Sequence, residues 1–251
     1  MPHSGQHVAV DPHEFALVRE IVYREAGIRL PDSKKALVEA RLGKRLRHHG
    51  LQSFTDYLRL VEEPARGSDE VLQLINSMTT NKTSFFREPH HLDYLNQVVF
   101  PAAAGRVLRI WSAGCSSGEE PYSIAMMAVA AGVHATILAT DIDTNVLARA
   151  RAGRYDAAQA DSVPSDLRAR FFRPVSGDGR TLEVVPSIRD MVDVRRVNLN
   201  ADAWPSGDAF DVIFCRNVVI YFDRQTQRRL FSRLAAALTP DGVLALGHSS
   251  R

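Results

Sequence analysis

The sequence has little of what marks specialised classes of protein. Its 251 residues contain two cysteines, Cys115 and Cys215, which cannot form a disulfide framework, and no His/Cys spacing resembles a zinc site. Basic and acidic residues number 31 and 29, so the net charge of +2 gives no support for a protein that binds nucleic acid. Apolar runs such as residues 124–133 are too short to span a bilayer. We therefore expect no metal, no nucleic-acid partner and no membrane insertion.

The amino terminus also lacks the basic and then apolar pattern of a secretory signal peptide, which favours the cytoplasm. What remains is an ordinary globular composition, 45% hydrophobic and 24% charged. The chain is long enough for a full α/β domain together with a small additional domain.

The first hundred residues show helical periodicity and no strand-like alternation. Asp11 and Pro12 mark a helix start with Asp11 as N-cap, and Gly27 and Gly50 end the first two helices. We predict a tail over residues 1–10, a helical domain over 11–78, and a connector with a further helix over 79–100.

From residue 101 to 251, strands and helices alternate, which predicts βαβ units and a parallel sheet. The alternation breaks between Asp156 and Val197, where residues 181–185 and 191–197 have the pattern of short strands. We predict that residues 157–197 form a β-rich insertion into the α/β domain.

A turn of small residues, 112–118, follows the first predicted strand and precedes a helix. This is where an α/β sheet binds a nucleoside ligand, and Gly114 lets the backbone approach that ligand closely. The pattern is not G-x-G-x-x-G and has no Walker lysine, so a triphosphate is disfavoured. Glu119 and Glu120 at the helix start suit a cation such as S-adenosylmethionine. The alternative is that they only complement the helix dipole.

Asp141 ends the second predicted strand, where an acidic side chain can accept hydrogen bonds from ribose hydroxyls. The alternative is an N-cap for the following helix, a role that Asp143 also fits. We predict ribose binding for Asp141 and capping for Asp143.

Two further segments favour a ligand site. Residues 81–89 combine polar groups, two adjacent phenylalanines and Arg87, and an arginine can bind a ligand carboxylate bidentately. The buried strand predicted over residues 210–215 delivers Arg216 and Asn217 to the same edge of the sheet, with Tyr221 a few residues further on.

Together these segments resemble the CheR-type chemotaxis receptor methyltransferases over essentially the whole chain. The segments that carry the resemblance, in family order and at family spacing, are NKTSFFRE (81–88), SAGCSSGEEPYSIAM (112–126), ATDIDTNVLARARAGRYD (139–156), VNL (197–199) and FDVIFCRNVVIYFD (210–223). The resemblance implies a class I methyltransferase (Rossmann-like) sheet with an inserted small antiparallel β-subdomain, preceded by a small all-α domain. It implies S-adenosylmethionine as cofactor, bound by Asn81, Thr83, Arg87, Glu119, Asp141, Asn198, Leu199, Asn217 and Val218 in addition to Gly114.

The activity that the resemblance implies is protein-glutamate O-methylation on the cytoplasmic helices of a chemoreceptor. We expect Arg87 and Tyr221 to hold the incoming carboxylate and the methionyl end of the cofactor, although Tyr221 also fits a packed aromatic role. A methyltransferase for nucleic acid or small molecules is one alternative, but the Asn-Pro-Pro-Tyr type of segment used on exocyclic amines is absent. A non-catalytic binding module is the other alternative, and the intact site residues disfavour it.

The second predicted helix carries a basic stripe beside its apolar one. The stripe comprises Lys34, Arg41, Lys44, Arg45 and His48. A solvated face is the plain interpretation. Because the expected partner displays glutamates, we predict instead that the stripe steers the receptor electrostatically.

We expect a monomer, with possible dimerisation through an exposed edge strand. The family continues beyond the segment that ends this chain by roughly a β-hairpin, on the order of 20 to 30 residues. A C-terminal hairpin is therefore expected to be missing, which would leave the strand at 243–246 as an apolar edge through which two chains could pair.

Overall fold

The computed structural model describes residues 8–63, 67–175, 177, 179–204, 207 and 209–247. Most of the tail predicted over residues 1–10 lies outside these ranges, as do residues 248–251. The chain divides into two compact units, one of residues up to Thr80 with 221–226 and one of residues 81–220 with 227–251. The structure thus groups residues 81–100, predicted as a connector, with the second unit.

The first unit is helical. It contains α1 (Pro12–Ala26), a 3-10 turn (Asp32–Lys34), α2 (Lys35–His49), α3 (Phe54–Glu62) and α4 (Gly67–Met78). The helices are amphipathic, and the apolar side of each is buried against the others. Fully buried side chains of this core include Val18, Val22, Val38, Leu42, Tyr57 and Leu74.

Local sequence fixes where these helices begin and end. Asp11 is the N-cap of α1, as predicted, and forms a capping box: its Oδ1 accepts from the Glu14 N–H at 2.7 Å, and the Glu14 carboxylate accepts from the Asp11 N–H. Gly27 and Gly50 follow α1 and α2 with φ of 71° and 67°, a conformation that glycine adopts without strain.

The second unit is α/β. It begins with a helical stretch at Pro89–Tyr94, Leu95–Val99 and Phe100–Ala102, labelled α5, a π-helical turn and α6. Then follow β1 (Leu108–Ala113), α7 (Glu119–Ala130), β2 (Ala135–Asp141), α8 (Thr144–Ala152), β3 (Arg154–Asp156), α9 (Ser165–Phe171), β4 (Phe172–Pro174), β5 (Thr181–Val184), α10 (Pro186–Arg189), β6 (Val192–Arg196), β7 (Phe210–Cys215), α11 (Arg224–Ala236) and β8 (Leu238–Leu246). No helix in the described ranges is long and apolar enough to cross a membrane.

Five strands form one parallel sheet in the order β6-β2-β1-β7-β8. The chain leaves β1 on one side toward β2 and reaches β7 on the other side, so the strand order reverses between β1 and β7. In open α/β sheets ligands bind at such a switch point, outside the carboxyl ends of the strands. Buried side chains on one face of this sheet, such as Ile110, Ile137 and Phe214, form part of the hydrophobic core.

The insertion differs from its prediction in one strand. A small antiparallel sheet exists, with strand order β3-β5-β4. The second strand predicted for it, residues 191–197, instead pairs in parallel with β2 as β6 of the main sheet, with Ile137 opposite Val192. Alternating apolar residues identify a strand but not its partner, which is why the sequence assigned this strand to the wrong sheet.

Candidate cofactor site

The turn after β1 is built for close approach of the backbone. Gly114 has φ 89°, and a side-chain carbon there would lie 2.3 Å from Val218 Cγ2. Gly118 has φ 98°, and a side-chain carbon there would lie 2.9 Å from the Tyr155 hydroxyl. Both positions therefore need glycine for conformation and for space.

Asp141 and Asp143 hold this turn from the end of β2. The Asp141 carboxylate accepts from the Ser116 N–H at 2.9 Å and from the Asp143 N–H at 3.0 Å. Burial raises the pKa of Asp141, and these N–H bonds oppose the rise. A carboxylate has about four acceptor positions, so capacity remains for ligand hydroxyls. Asp143 caps α8 through the Asn145 N–H at 2.8 Å, as predicted, and also accepts from the Asn81 amide at 2.6 Å.

Glu119 is a buried carboxylate with little compensation. The residue is 1% exposed, and the Ser117 hydroxyl donates to its Oε2 at 2.7 Å. Burial raises the pKa of Glu119, and neither this hydrogen bond nor the charge of Arg149 outweighs the effect. Such a site favours a ligand that brings a positive charge or hydrogen-bond donors.

Glu120, predicted as part of the same acidic pair, belongs to a different network. Its carboxylate accepts from the Ser112 hydroxyl at 2.7 Å and from Arg216 Nη1 at 3.0 Å. Desolvation raises the pKa of Glu120, and Arg216 opposes the rise. Arg216 also pairs with Glu88, at 3.2 Å between Nη2 and Oε2. Burial by itself would raise the pKa of Glu88, but Arg216 lowers it below its ordinary value.

The segment 81–88 lies beside this network. Its Phe85 ring is 1% exposed and packs edge-on against Tyr155 and Phe172. The Arg87 guanidinium donates through Nη1 to the Lys82 carbonyl at 2.8 Å, so most of its five N–H donors remain for a ligand.

Most of the residues with strained backbone conformations lie at this edge of the sheet. Outside glycine, positive φ values occur in the described residues at Phe86, Glu88, Ser116 and Asn217, which all belong to the candidate site, and at Ala104. Such conformations cost on the order of 1–3 kcal/mol each and cluster at functional sites.

The remaining predicted cofactor residues follow the neighbouring strands. Asn198 and Leu199 come directly after β6, where the Val197 N–H donates to the Asp141 carbonyl at 3.1 Å. Asn217 and Val218 come directly after β7, with the Val218 side chain against Gly114. The second unit thus collects at one edge Asn81, Arg87, Gly114, Glu119, Asp141, Asn198, Leu199, Asn217 and Val218, and Thr83 lies in the same segment as Asn81 and Arg87.

Tyr221 ends the 3-10 turn Val219–Tyr221, and by its contacts it belongs to the first unit, where its carbonyl accepts from the Arg29 N–H at 2.9 Å. The predicted basic stripe lies on the 3-10 turn and α2. There Lys34, Lys44 and His48 are exposed.

The two stripe arginines have partners within the first unit. Arg41 donates to the Thr79 carbonyl at 2.6 Å, and Arg45 donates twice to the Glu70 carboxylate, at 2.9 and 2.6 Å. A charge reversal at either arginine would therefore disturb the packing of α2 against α4, and would test folding as much as docking.

The two cysteines are buried free thiols. Burial raises the pKa of Cys215 to about 12 and that of Cys115 well above its usual value. Because the thiolate is the reactive form, neither residue is a nucleophile at neutral pH.

The interaction between two members of the site was not predicted from the sequence. Glu120 was paired with Glu119, and Arg216 was placed at the edge without a partner, yet the two side chains bind each other. The available signal was the position of Arg216 directly after the fully buried strand 211–215, where a charged side chain requires a partner of opposite charge.

A parallel sheet with a glycine turn after its first strand and buried carboxylates after its first and second strands defines a class I methyltransferase that uses S-adenosylmethionine. The chain belongs to the CheR methyltransferase family. Residues 13–79 match the family's all-alpha domain, and residues 81–251 match its SAM binding domain.

Three similar proteins illustrate the relationship. A probable chemotaxis protein methyltransferase of Rhizobium etli is 42% identical over 92% of this chain and 90% of its own length. Chemotaxis protein methyltransferase 2 of Pseudomonas aeruginosa is 43% identical over 94% of this chain and 85% of its own. The chemotaxis protein methyltransferase of Escherichia coli is 39% identical over 97% and 86%.

Proposed function

We propose that this protein transfers the methyl group of S-adenosylmethionine to glutamate side chains on the cytoplasmic helices of a bacterial chemoreceptor. The observation that carries the proposal is the pair of carboxylates, the buried Glu119 and the partly buried Asp141, at the switch point of the sheet beside the glycine turn. The names of the similar proteins supply the substrate class. A receptor that is methylated on its cytoplasmic helices places the enzyme in the cytoplasm.

The residues present suit the cofactor. S-adenosylmethionine carries a sulfonium, an ammonium, a carboxylate and ribose hydroxyls. Glu119 and Asp141, whose pKa values burial raises, gain from a ligand that supplies positive charge or donors. Arg87, with donors to spare, fits a carboxylate.

Methyl transfer to a glutamate carboxylate does not depend on acid–base catalysis. The bound cofactor supplies an electrophilic methyl group on sulfur, and an exposed glutamate with a pKa of about 4.3 is already ionised at neutral pH. No general base is required, so alignment of the carboxylate oxygen with the methyl group dominates catalysis. We assign Arg87 and Tyr221 to hold the incoming carboxylate and the methionyl end of the cofactor, as the family resemblance implies.

The basic stripe is the proposed docking surface for the receptor. Because Arg41 and Arg45 have partners within the first unit, the exposed members Lys34 and Lys44 are the ones to reverse. Lys44→Glu with Lys34→Glu should lower kcat/KM for receptor about tenfold at low salt, with less effect at high salt because added ions screen the attraction. The matched control is Arg228→Glu, which reverses an exposed basic residue on α11 of the second unit. Wild-type rates that do not change with salt would contradict steering.

The test of the activity is methylation with cofactor carrying a labelled methyl group and a receptor cytoplasmic fragment. Label that is released as methanol by base, and that is lost when the receptor glutamates are replaced by alanine, supports the proposal. Arg87→Ala should lower transfer to a small residual rate, and Tyr221→Phe should lower kcat far more than affinity for S-adenosylhomocysteine. Cofactor binding without transfer would indicate a binding module, and base-stable label would indicate a different acceptor.

A further inference from the structure

Arg216 is a charged residue whose side chain is buried, with 3% of it exposed. It follows the buried strand β7, and its guanidinium reaches two other segments of the second unit. It contacts the Glu120 carboxylate on α7, and in the segment 81–88 it contacts both the Glu88 carboxylate and the Arg87 carbonyl.

The contacts use the planar fork of an arginine. Nη1 lies 3.0 Å from Glu120 Oε2, while Nη2 and Nε lie 3.2 and 3.4 Å from Glu88 Oε2, and Nη2 also donates to the Arg87 carbonyl. A lysine has one ammonium group and cannot reach all three acceptors at once. Buried ion pairs add little net stability because desolvation offsets the attraction, so the main consequence of this network is geometric.

The backbone that Arg216 holds is strained. Phe86 and Glu88, on either side of Arg87, have φ of 53° and 52°. Such conformations persist only where the surroundings fix them. Arg216 fixes the segment at the Arg87 carbonyl and at the Glu88 side chain, while the Ser123 hydroxyl accepts from the Phe86 N–H at 3.1 Å. Together these contacts set the direction in which the Arg87 side chain leaves the backbone.

We propose that Arg216, clamped between Glu88 and Glu120, is a positioning residue for methyl transfer that acts through Arg87. This inference rests on the role given to Arg87 under the proposed function. Arg216 itself is too enclosed to meet the acceptor glutamate. Its effect is to hold the Arg87 backbone, and a small displacement of a positioned group costs on the order of 100-fold in rate.

The test is a double-mutant cycle of Arg216→Lys and Arg87→Ala, with kcat measured per molecule competent to bind S-adenosylhomocysteine. Arg216→Lys alone should lower kcat on the order of 100-fold. In the Arg87→Ala background the same change should lower the residual rate less than threefold, because the residue through which it acts is gone. The control is Arg106→Lys, which alters an arginine paired with Asp211 near the opposite end of the sheet and should leave kcat unchanged.

Equal effects of Arg216→Lys with and without Arg87 would overturn the inference and leave the methyltransferase activity standing. Full activity of Arg87→Ala would remove the role of Arg87 and the inference with it. No transfer by the wild-type protein would overturn the proposed function and the inference together. If Arg216→Lys does not fold, Glu120→Gln enters the same cycle, since it removes the charge but keeps an acceptor for Ser112.

Discussion

Two buried glutamates, one in each unit, show how similar burial serves different purposes. Glu70 on α4 is 5% exposed, and its carboxylate accepts from the Tyr57 hydroxyl at 2.7 Å and twice from Arg45, with His49 at 2.9 Å. Glu119 at the start of α7 is 1% exposed, and its carboxylate accepts from the Ser117 hydroxyl. Glu70 is compensated within its own unit, whereas Glu119 is not.

The pKa values of these two groups move in opposite directions. Burial by itself would raise the pKa of Glu70, but the hydrogen bonds from Arg45, Tyr57 and His49 lower it below the ordinary value. For Glu119, burial prevails and the pKa is raised. A buried carboxylate with several strong donors is satisfied within the fold, and one whose few partners do not offset its burial is available to a ligand.

The largest expected effect is on the paired glutamate. Glu70→Gln should lower the free energy of unfolding by about 3 kcal/mol, because it breaks a buried pair and leaves the Arg45 charge uncompensated. Since the pKa of Glu70 is lowered on folding, its contribution exists above the unfolded pKa and is lost as the pH falls through the folded one. The loss should therefore be largest near neutral pH and vanish in acid, as measured by urea denaturation.

The matched control for this change is Glu20→Gln, which removes a charge from the exposed side of α1. Affinity for S-adenosylhomocysteine should survive in the folded fraction of the Glu70 variant. A variant that keeps wild-type stability but binds the cofactor poorly would reverse the comparison between the two glutamates.

Glu119→Gln should raise the stability of the free protein, by less than Glu70→Gln lowers it. Glutamine keeps an acceptor for the Ser117 hydroxyl but removes the buried charge. Because folding raises the pKa of Glu119, its ionised form destabilises the folded state above the folded pKa and has no such effect below the unfolded one. The melting temperature of the free variant should exceed that of the wild type at pH 8, and the difference should shrink as the pH falls.

The same variant should bind S-adenosylmethionine about tenfold more weakly, a loss of ~1.4 kcal/mol. Calorimetry with S-adenosylmethionine and with S-adenosylhomocysteine shows which group of the cofactor Glu119 contacts. An equal loss for S-adenosylmethionine and S-adenosylhomocysteine indicates contact with a group common to both, and a larger loss for the former indicates the sulfonium. Unchanged affinity for both would remove Glu119 from the site.

The sequence predicted the local features that surround these glutamates. The strands β1, β2 and β7 and the cap at Asp11 depend on short periodic patterns and on flanking residues, and these predictions were confirmed. The turn at Gly114 was predicted from its small residues between a strand and a helix, and the φ of 89° at Gly114 agrees with a position that needs glycine.

Partners that are distant in sequence could not be predicted in the same way. Arg216 and Glu88 are 128 residues apart, and no spacing rule connects them. For the same reason the periodicity of α2 showed Arg41 and Arg45 on one stripe, but not that the Thr79 carbonyl and Glu70 lie opposite them. The partner of β6 was mistaken because β-pairing is decided by tertiary packing.

The smallest expected effect compares two helix caps, Asp11 in the first unit and Asp143 in the second. Asp11 accepts from the Glu14 N–H, and Asp143 accepts from the Asn145 N–H. Asp11→Ala and Asp143→Ala should each lower the free energy of unfolding by about 1 kcal/mol, the usual cost of a lost cap. Asp143 has a second function, because its other oxygen accepts from the Asn81 amide at 2.6 Å.

The two caps should therefore differ in cofactor binding. Without Asp143, Asn81 loses a partner that positions it, so affinity for S-adenosylhomocysteine should fall a few-fold in Asp143→Ala and stay unchanged in Asp11→Ala. Asp143→Ser tests the assignment further, because serine restores the cap but is too short to reach Asn81 as aspartate does. It should recover the stability and not the affinity. If Asp143→Ser recovers both the stability and the cofactor affinity, Asp143 acts only as a helix cap, as Asp11 does.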